Sequence, residues 1–323
     1  MDRRAARDAS ARRRIRGRAG AASSLPGGPR GDGADHVTDS LLTAAPRSAR
    51  DGQQWLIALD IDGTVLLEDD SLSPGVVDAV ADAVANGHIV TLATGRSWES
   101  TVHVLDWLGL TPRYVVTANG ATIMERDDSE ATKYRRHIIE TFDPTEVLTH
   151  IEQHLPDAHY MVELADGTRL FNQQLDDWNL SHANAHRVDI ADMKGRQVTR
   201  VVVISDEHDD GSFNDFVERM GLHHVSYSVG WSAWLDIAPH GVDKSTALEQ
   251  VRESLEIARD RVIVMGDGRN DMQMLDWARE AGGEAVVMGQ AIAEVAERGS
   301  RITSSVEAGG VAHALAAIGV IGR

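Results

Sequence analysis

The sequence predicts an α/β protein: a parallel sheet covered by helices on both faces, interrupted by a smaller α+β unit. Three observations carry this expectation. Short, continuously apolar runs alternate with amphipathic stretches at both ends of the body, the pattern of strands buried on both sides by crossover helices. The middle, 122 to 236, has a hairpin turn and strands of mixed polarity instead. Polar residues recur at the ends of the apolar runs, where such sheets place their ligands.

Taken in order, "WLIALDI" (55 to 61) reads as the first strand. "SPGVVDAVADAVANG" follows as a helix, with Ser73 as N-cap, Pro74 in the first turn and Gly87 as terminator. Val76, Val77, Val80 and Val84 are expected on its inner face. "HIVTLATG" is a strand, "SWESTVHVLDWLG" a helix and "YVVTANG" a strand. In the middle, "YMVELADGTRLF" carries a hairpin turn at Asp166-Gly167. "TRVVVIS", "SFNDFVERMG", "HHVSYSVG" and "SAWLDIA" add strand, helix, strand and strand. "RVIVMGD", "MQMLDWAREAG", "EAVVMG", "IAEVAERG", "RITSS" and "GVAHALAAIG" then resume the alternation. There is no internal repeat.

Composition narrows the function classes. At 323 residues, 42% of them hydrophobic, the chain exceeds one average domain and can bury a real core. No apolar run approaches the ~18 residues of a membrane span. The absence of cysteine excludes disulfides and thiolate metal sites, and fits a cytoplasmic protein. Residues 1 to 50 hold eleven arginines and five aspartates, net +6, so the remainder of a chain of net charge −18 carries −18 − 6 = −24. The Arg-, Ala-, Gly- and Ser-rich first fifty residues read as a disordered basic tail. "RRRIRGR" (12 to 18) would suit a nucleic acid or a transit peptide, and a solvated tail is the simpler reading. So acidic a body disfavours nucleic acid and membrane surfaces, and handling an anionic substrate calls for a metal cation.

The chemistry begins with Asp60 and Asp62 at the end of the first strand. Alone, D-x-D is compatible with a metal motif of nucleotide-sugar enzymes or an ordinary turn; a calcium loop lacks its remaining ligands in register. The companions change the reading. "ATGR" places Thr94 and Gly95 after the next strand, where a hydroxyl and backbone N–H groups can hold a phosphate. "GVDKSTAL" puts Lys244 at a helix start, where a cation is disfavoured unless it has a task. "VIVMGDGRND" ends another strand with Asp267, followed by Asn270 and Asp271. Hard oxygen ligands from separate strand ends suit Mg²⁺.

"DIDGT", "ATGR", "DKSTAL" and "GDGRNDMQML", in this order, resemble the four motifs of the haloacid dehalogenase-like superfamily, and most closely its Cof-type phosphatases of subfamily IIB. "TANGA", "AVVMGQA" and "EAGGVAHAL" are similar to that family's secondary signatures. Gln290 stands where the family usually has Asn, and "EAGG" replaces "DDG" or "EDG"; neither position carries the chemistry. The resemblance implies a Rossmann-like core at 51 to 121 and 237 to 323, with 122 to 236 an inserted α/β cap that decides the substrate. It implies Asp60 as nucleophile, forming an aspartyl-phosphate, and Asp62 as the acid and then the base. Mg²⁺ would be held by Asp60, the Asp62 carbonyl and Asp267, with Asp271 near or in its shell. Thr94, Gly95, Lys244 and Asn270 would bind the phosphate.

Other residues stay open. Arg96 has a surface or salt-bridge role, or joins the site. Asn119 is a turn residue or meets the substrate. Trp178, Trp231 and Trp234 are core, or a substrate platform. The fourteen histidines form no trusted ligand pattern. The expected activity is Mg²⁺-dependent hydrolysis of small phosphorylated metabolites, sugar phosphates or similar monoesters. A phosphohexomutase of the same superfamily and a non-catalytic sensor are the alternatives. Substrate identity and oligomeric state are not legible.

Overall fold

The computed structural model describes residues 53–173, 184–205, 213, 217, 225–229 and 234–322. The tail at 1 to 50, most of the helix expected at 212 to 221, Trp178 and Trp231 lie outside them. Of that helix, Phe213 and Val217 are described, and both are helical and buried.

β1 (Leu56–Leu59) is an inner strand of a five-stranded sheet. β2 (Ile89–Leu92) flanks it on one side. On the other lie β12 (Val262–Gly266), β13 (Glu284–Val287) and β14 (Arg301–Ile302), and every pairing is parallel. The inner strands β1 and β12 are apolar throughout because both faces are covered. Ile57 and Leu59 pack with α1 (Val76–Ala85), α2 (Trp98–Leu108) and α8 (Gly310–Ile318). Leu56 and Ala58 face α5 (Lys244–Ser254), α6 (Met272–Glu280) and α7 (Ala293–Ala296).

α1 departs from expectation. Its inner face is Val76, Ala79, Val80 and Ala83, while Val77 and Val84 are exposed. At 100° per residue those small alanines share the face with Val76 and Val80, and the two other valines rotate outward. Gly75, not Ser73, is the N-cap; the Ser73 hydroxyl donates to the Val306 carbonyl at 2.6 Å. Gly87, at φ +87°, ends the helix as expected.

β3 (Tyr114–Thr117) continues the parallel sheet through Ala93 and Val116, and pairs antiparallel with β4 (Thr122–Arg126), which pairs with β5 (Tyr134–Ile139). α3 (Thr145–His154) then leads to a separate six-stranded sheet, antiparallel except for one parallel pairing at its edge. Its order is β10 (Val225–Val229), β11 (Trp234–Pro239), β9 (Val198–Ile204), β6 (His159–Leu164), β7 (Arg169–Phe171) and β8 (Ala185–Arg187). The β6–β7 hairpin turns at Asp166-Gly167, and Gly167 supplies φ +86°. A short helix, α4 (Ile190–Met193), precedes β9. This sheet has its own core around Leu148, Tyr160, Val201 and Ile237, and Trp234 packs against Met161 and Val202. No helix among the described residues is long and apolar enough to cross a membrane.

Candidate active site

The carboxyl ends of β1, β2 and β12 bring the expected residues to one edge. Asp60 follows β1 and donates its N–H to the Met265 carbonyl at 2.9 Å, so the β1–β12 pairing fixes where its side chain starts. Asp267 follows β12, and Asp271 closes the turn after it: its Oδ2 accepts the N–H groups of Asp267 and Gly268 at 3.0 and 2.9 Å. Gly266 is required there, since a Cβ would stand 2.3 Å from the Asp271 carboxyl carbon. Lys244 is the first residue of α5, whose N-cap Asp243 accepts from the Ser245 and Thr246 N–H groups. Its Nζ donates to Asp60 Oδ1 and to Asp271 Oδ1, both at 2.6 Å, and it is fully buried.

Three buried carboxylates, those of Asp60, Asp267 and Asp271, offer oxygens within 4.8 Å of one another. With one ammonium among them, two negative charges stay uncompensated when all are ionised. Burial, then the Asp271 carboxylate, pushes Asp60 well above the usual carboxylate range. Asp267 is pushed up to about 7 by burial first and Asp271 next. Burial alone would lower Lys244, but Asp271 and Asp60 hold it above the ordinary lysine range. Asp267 Oδ1 has no hydrogen-bond partner although it is buried. Crowded acidic oxygens with an unused acceptor fit a hard divalent cation.

Asp62 is placed differently from Asp60. Its side chain is 59% exposed and is gripped by Arg96, which also donates to Asp70. Thr94 Oγ1 accepts the Arg96 N–H at 3.0 Å and makes no cap to α2, which starts at Trp98 after Ser97. Asn270 Nδ2 donates to Asn119 Oδ1 at 3.1 Å. Asn119 is indeed a turn residue, at φ +50°, and its Nδ2 also reaches Asp236 Oδ2 at 3.0 Å. Gln290 is more involved than its sequence position indicated. Its Nε2 donates to the Gly63 carbonyl at 2.6 Å and to Asp267 Oδ2 at 3.1 Å, while its Oε1 accepts from Val306. A cleft of about 180 Å³ opens beside the cluster, lined by Asn119, Lys244, Asn270 and, from the antiparallel sheet, Ser226, Tyr227 and Asp236.

The model of the haloacid dehalogenase-like hydrolase family matches residues 57–315. The chain belongs to that family. Within the haloacid dehalogenase-like hydrolases it is a Cof-type phosphatase, an enzyme that hydrolyses phosphoric monoesters. It is 27% identical over 267 residues to the 5-amino-6-(5-phospho-D-ribitylamino)uracil phosphatase YitU of Bacillus subtilis, covering 81% of this chain and 96% of that one. It is 23% identical over 265 residues to the HMP-PP phosphatase of Yersinia enterocolitica, covering 80% and 93%. The structure of the subclass IIB sugar phosphatase BT4131 superimposes with a TM-score of 0.69 at 18% identity, over 83% of this chain and all of that one. That last likeness shows the fold alone.

Proposed function

We propose that this phosphatase is Mg²⁺-dependent and releases phosphate from small phosphorylated metabolites, sugar phosphates or similar monoesters, through an aspartyl-phosphate on Asp60. The observation that carries the reading is the division of labour between two aspartates one residue apart. Asp60 is buried and held by Lys244; Asp62 faces the solvent side on Arg96.

Asp60 Oδ attacks phosphorus, the bond to the ester oxygen breaks, and that oxygen leaves with a proton from Asp62. Asp62, now ionised, takes a proton from water, whose oxygen attacks the acyl-phosphate; inorganic phosphate departs and Asp60 is regenerated. Arg96 anchors the Asp62 carboxylate where both proton transfers take place. Lys244, Thr94, the Gly95 N–H and Asn270 bind the transferring oxygens and balance their charge. Asp60, Asp62 through its carbonyl, and Asp267 would hold Mg²⁺, with Asp271 beside it; the ion supplies charge neutralisation between carboxylate and phosphoryl group. Lys244 and the two N–H groups of the 266–268 turn already occupy Asp271, which favours a supporting place for it.

We read 51 to 121 with 237 to 323 as the catalytic core and 122 to 236 as the inserted cap. Support comes from the cleft, whose walls include β10 and β11 residues, so that the inserted sheet can select the leaving group. The two named relatives act on different molecules that share a phosphate on a small organic group, which fits the class and leaves the member open. The body's acidity disfavours nucleic acid as partner.

The test is a screen of phosphorylated metabolites with the full chain, measuring released phosphate in Mg²⁺ and in EDTA. Release that requires Mg²⁺ is expected. Isomer formed from a sugar 1-phosphate without free phosphate would assign a mutase instead, and binding without turnover a sensor.

A further inference from the structure

Arg200 and Asp236 sit on β9 and β11 of the antiparallel sheet, yet both reach the phosphate-binding edge of the core. Arg200 Nη1 donates to the Gly95 carbonyl at 2.6 Å. The N–H of the same peptide group, that of Arg96, donates to Thr94 Oγ1 at 3.0 Å. The Gly95–Arg96 peptide is therefore held at both poles, and turning it breaks two bonds. Because Thr94 Oγ1 accepts from this peptide, its hydroxyl hydrogen is what it has to offer a ligand.

A second arm runs in parallel. Asp236 Oδ2 accepts from Arg200 Nη1 at 3.3 Å and from Asn119 Nδ2 at 3.0 Å. Asn119 Oδ1 then accepts from Asn270 Nδ2 at 3.1 Å. Asn119 is itself fixed by its N–H to the Thr94 carbonyl at 3.0 Å. Glu163, buried on β6, pairs its charge with Arg200, its Oε2 3.3 Å from Nε. Apolar side chains would hold the two layers together at least as well as buried charges. A planar guanidinium supplies direction instead, which a point charge does not.

We propose that Arg200 is a positioning residue of this phosphatase. Its Nη1 fixes the Gly95–Arg96 peptide and, through it, the Thr94 hydroxyl, while Asp236 and Asn119 fix Asn270 from the same anchor. The phosphate-binding edge is thereby complete only while the antiparallel sheet is seated on the core. This rests on Thr94 and Asn270 binding phosphate.

The experiment uses the full chain with Mg²⁺, p-nitrophenyl phosphate as substrate and inorganic phosphate as competing product, for Arg200→Lys, Thr94→Val and the double variant. Losing one aligned hydrogen bond should raise the phosphate inhibition constant and KM about tenfold in each single variant. The double variant should lose clearly less than the product of the two single losses, since Arg200 acts partly through Thr94 and partly through Asp236 and Asn119. Arg169→Lys is the control: Arg169 pins the same sheet to α2 through Glu99 and Ser97 at 2.6 and 3.1 Å, and its approach to Glu163 is the longer one, 3.8 Å against 3.3 Å for Arg200. It should lower the melting temperature as much as Arg200→Lys and leave phosphate inhibition within about twofold of wild type. If Arg200→Lys does not fold, Asp236→Asn paired with Asn270→Ala asks the same question of the second arm. Additive effects, wild-type phosphate inhibition in Arg200→Lys, or an equal loss in Arg169→Lys would overturn the proposal. Unchanged phosphate inhibition in Thr94→Val would instead remove the phosphate assignment on which it stands.

Discussion

Neutralising Asp267 should stabilise the metal-free protein. Burial and Asp271 push its carboxyl from 3.8 to about 7. A rise of roughly 3 units means that holding it charged in the fold costs about 4 kcal/mol. The folded pKa is raised, so the associated stability is fully present below pH 3.8 and is lost as pH climbs through 7. In EDTA the wild type should therefore lose about 2 to 3 kcal/mol between pH 5 and pH 8 from this group alone. Asp267→Asn has nothing to titrate there, and its amide oxygen can still accept from Gln290, which stands 3.1 Å from Asp267 Oδ2. At pH 8 in EDTA the variant should melt above wild type by up to about 8–16 °C, at 2–4 °C per kcal/mol for a chain of this size. Saturating Mg²⁺ should reverse the order, because the ion stabilises the fold that binds it. The assay is thermal unfolding followed by circular dichroism at both pH values, with EDTA or Mg²⁺. A variant that melts below wild type at pH 8 in EDTA, or gains as much at pH 5, would refute the crowded-carboxylate account.

Asp60→Asn should reduce phosphate release to background while the circular dichroism spectrum stays that of wild type; measurable turnover would rule out covalent attack by this residue. Asp62→Asn should lower kcat by ~10²–10⁴-fold, and a loss below about threefold would assign the proton transfers to another group. Gly63→Ala should weaken Mg²⁺ binding, because Gly63 sits at φ +74° and a Cβ would stand 2.2 Å from Asp267 Oδ2. An unchanged Mg²⁺ titration would show that the turn after Asp60 yields without moving Asp267.

The parallel sheet is legible in the sequence because its inner strands β1 and β12, buried on both faces, are apolar at every position and are each followed by an aspartate. Asp60, Lys244, Asp267 and Asp271 could be gathered for the same reason: each follows a buried strand or opens a helix. The face of α1 is not legible from its valines alone, because the small residues Ala79 and Ala83 fix the rotation. Ser73 spends its hydroxyl on a carbonyl 233 residues away, which no local capping rule anticipates. Arg200 and Asp236 escaped notice since one charge in an apolar strand normally points to solvent. The backbone of Asn119 makes the turn that its place in "TANGA" suggests, while its side chain ties Asn270 to Asp236. Gln290 departs from the motif's usual Asn, and its side chain spans Gly63 and Asp267.

The parallel register of β1 has a consequence for biosynthesis. Leu56 pairs with Ile89 on one side and with Val262 on the other, so its second neighbour leaves the ribosome 262 − 56 = 206 residues later. At ~5–20 residues per second that is roughly 10–40 seconds of translation. Through this interval the nascent chain carries an apolar strand with one open edge, a template for wrong pairing. The six-stranded sheet, whose strands all lie between 159 and 239 and which has its own core, is complete before β12 emerges. Asp60 thus leaves the ribosome 184 residues before Lys244 and 271 − 60 = 211 residues before Asp271, the two groups it must meet.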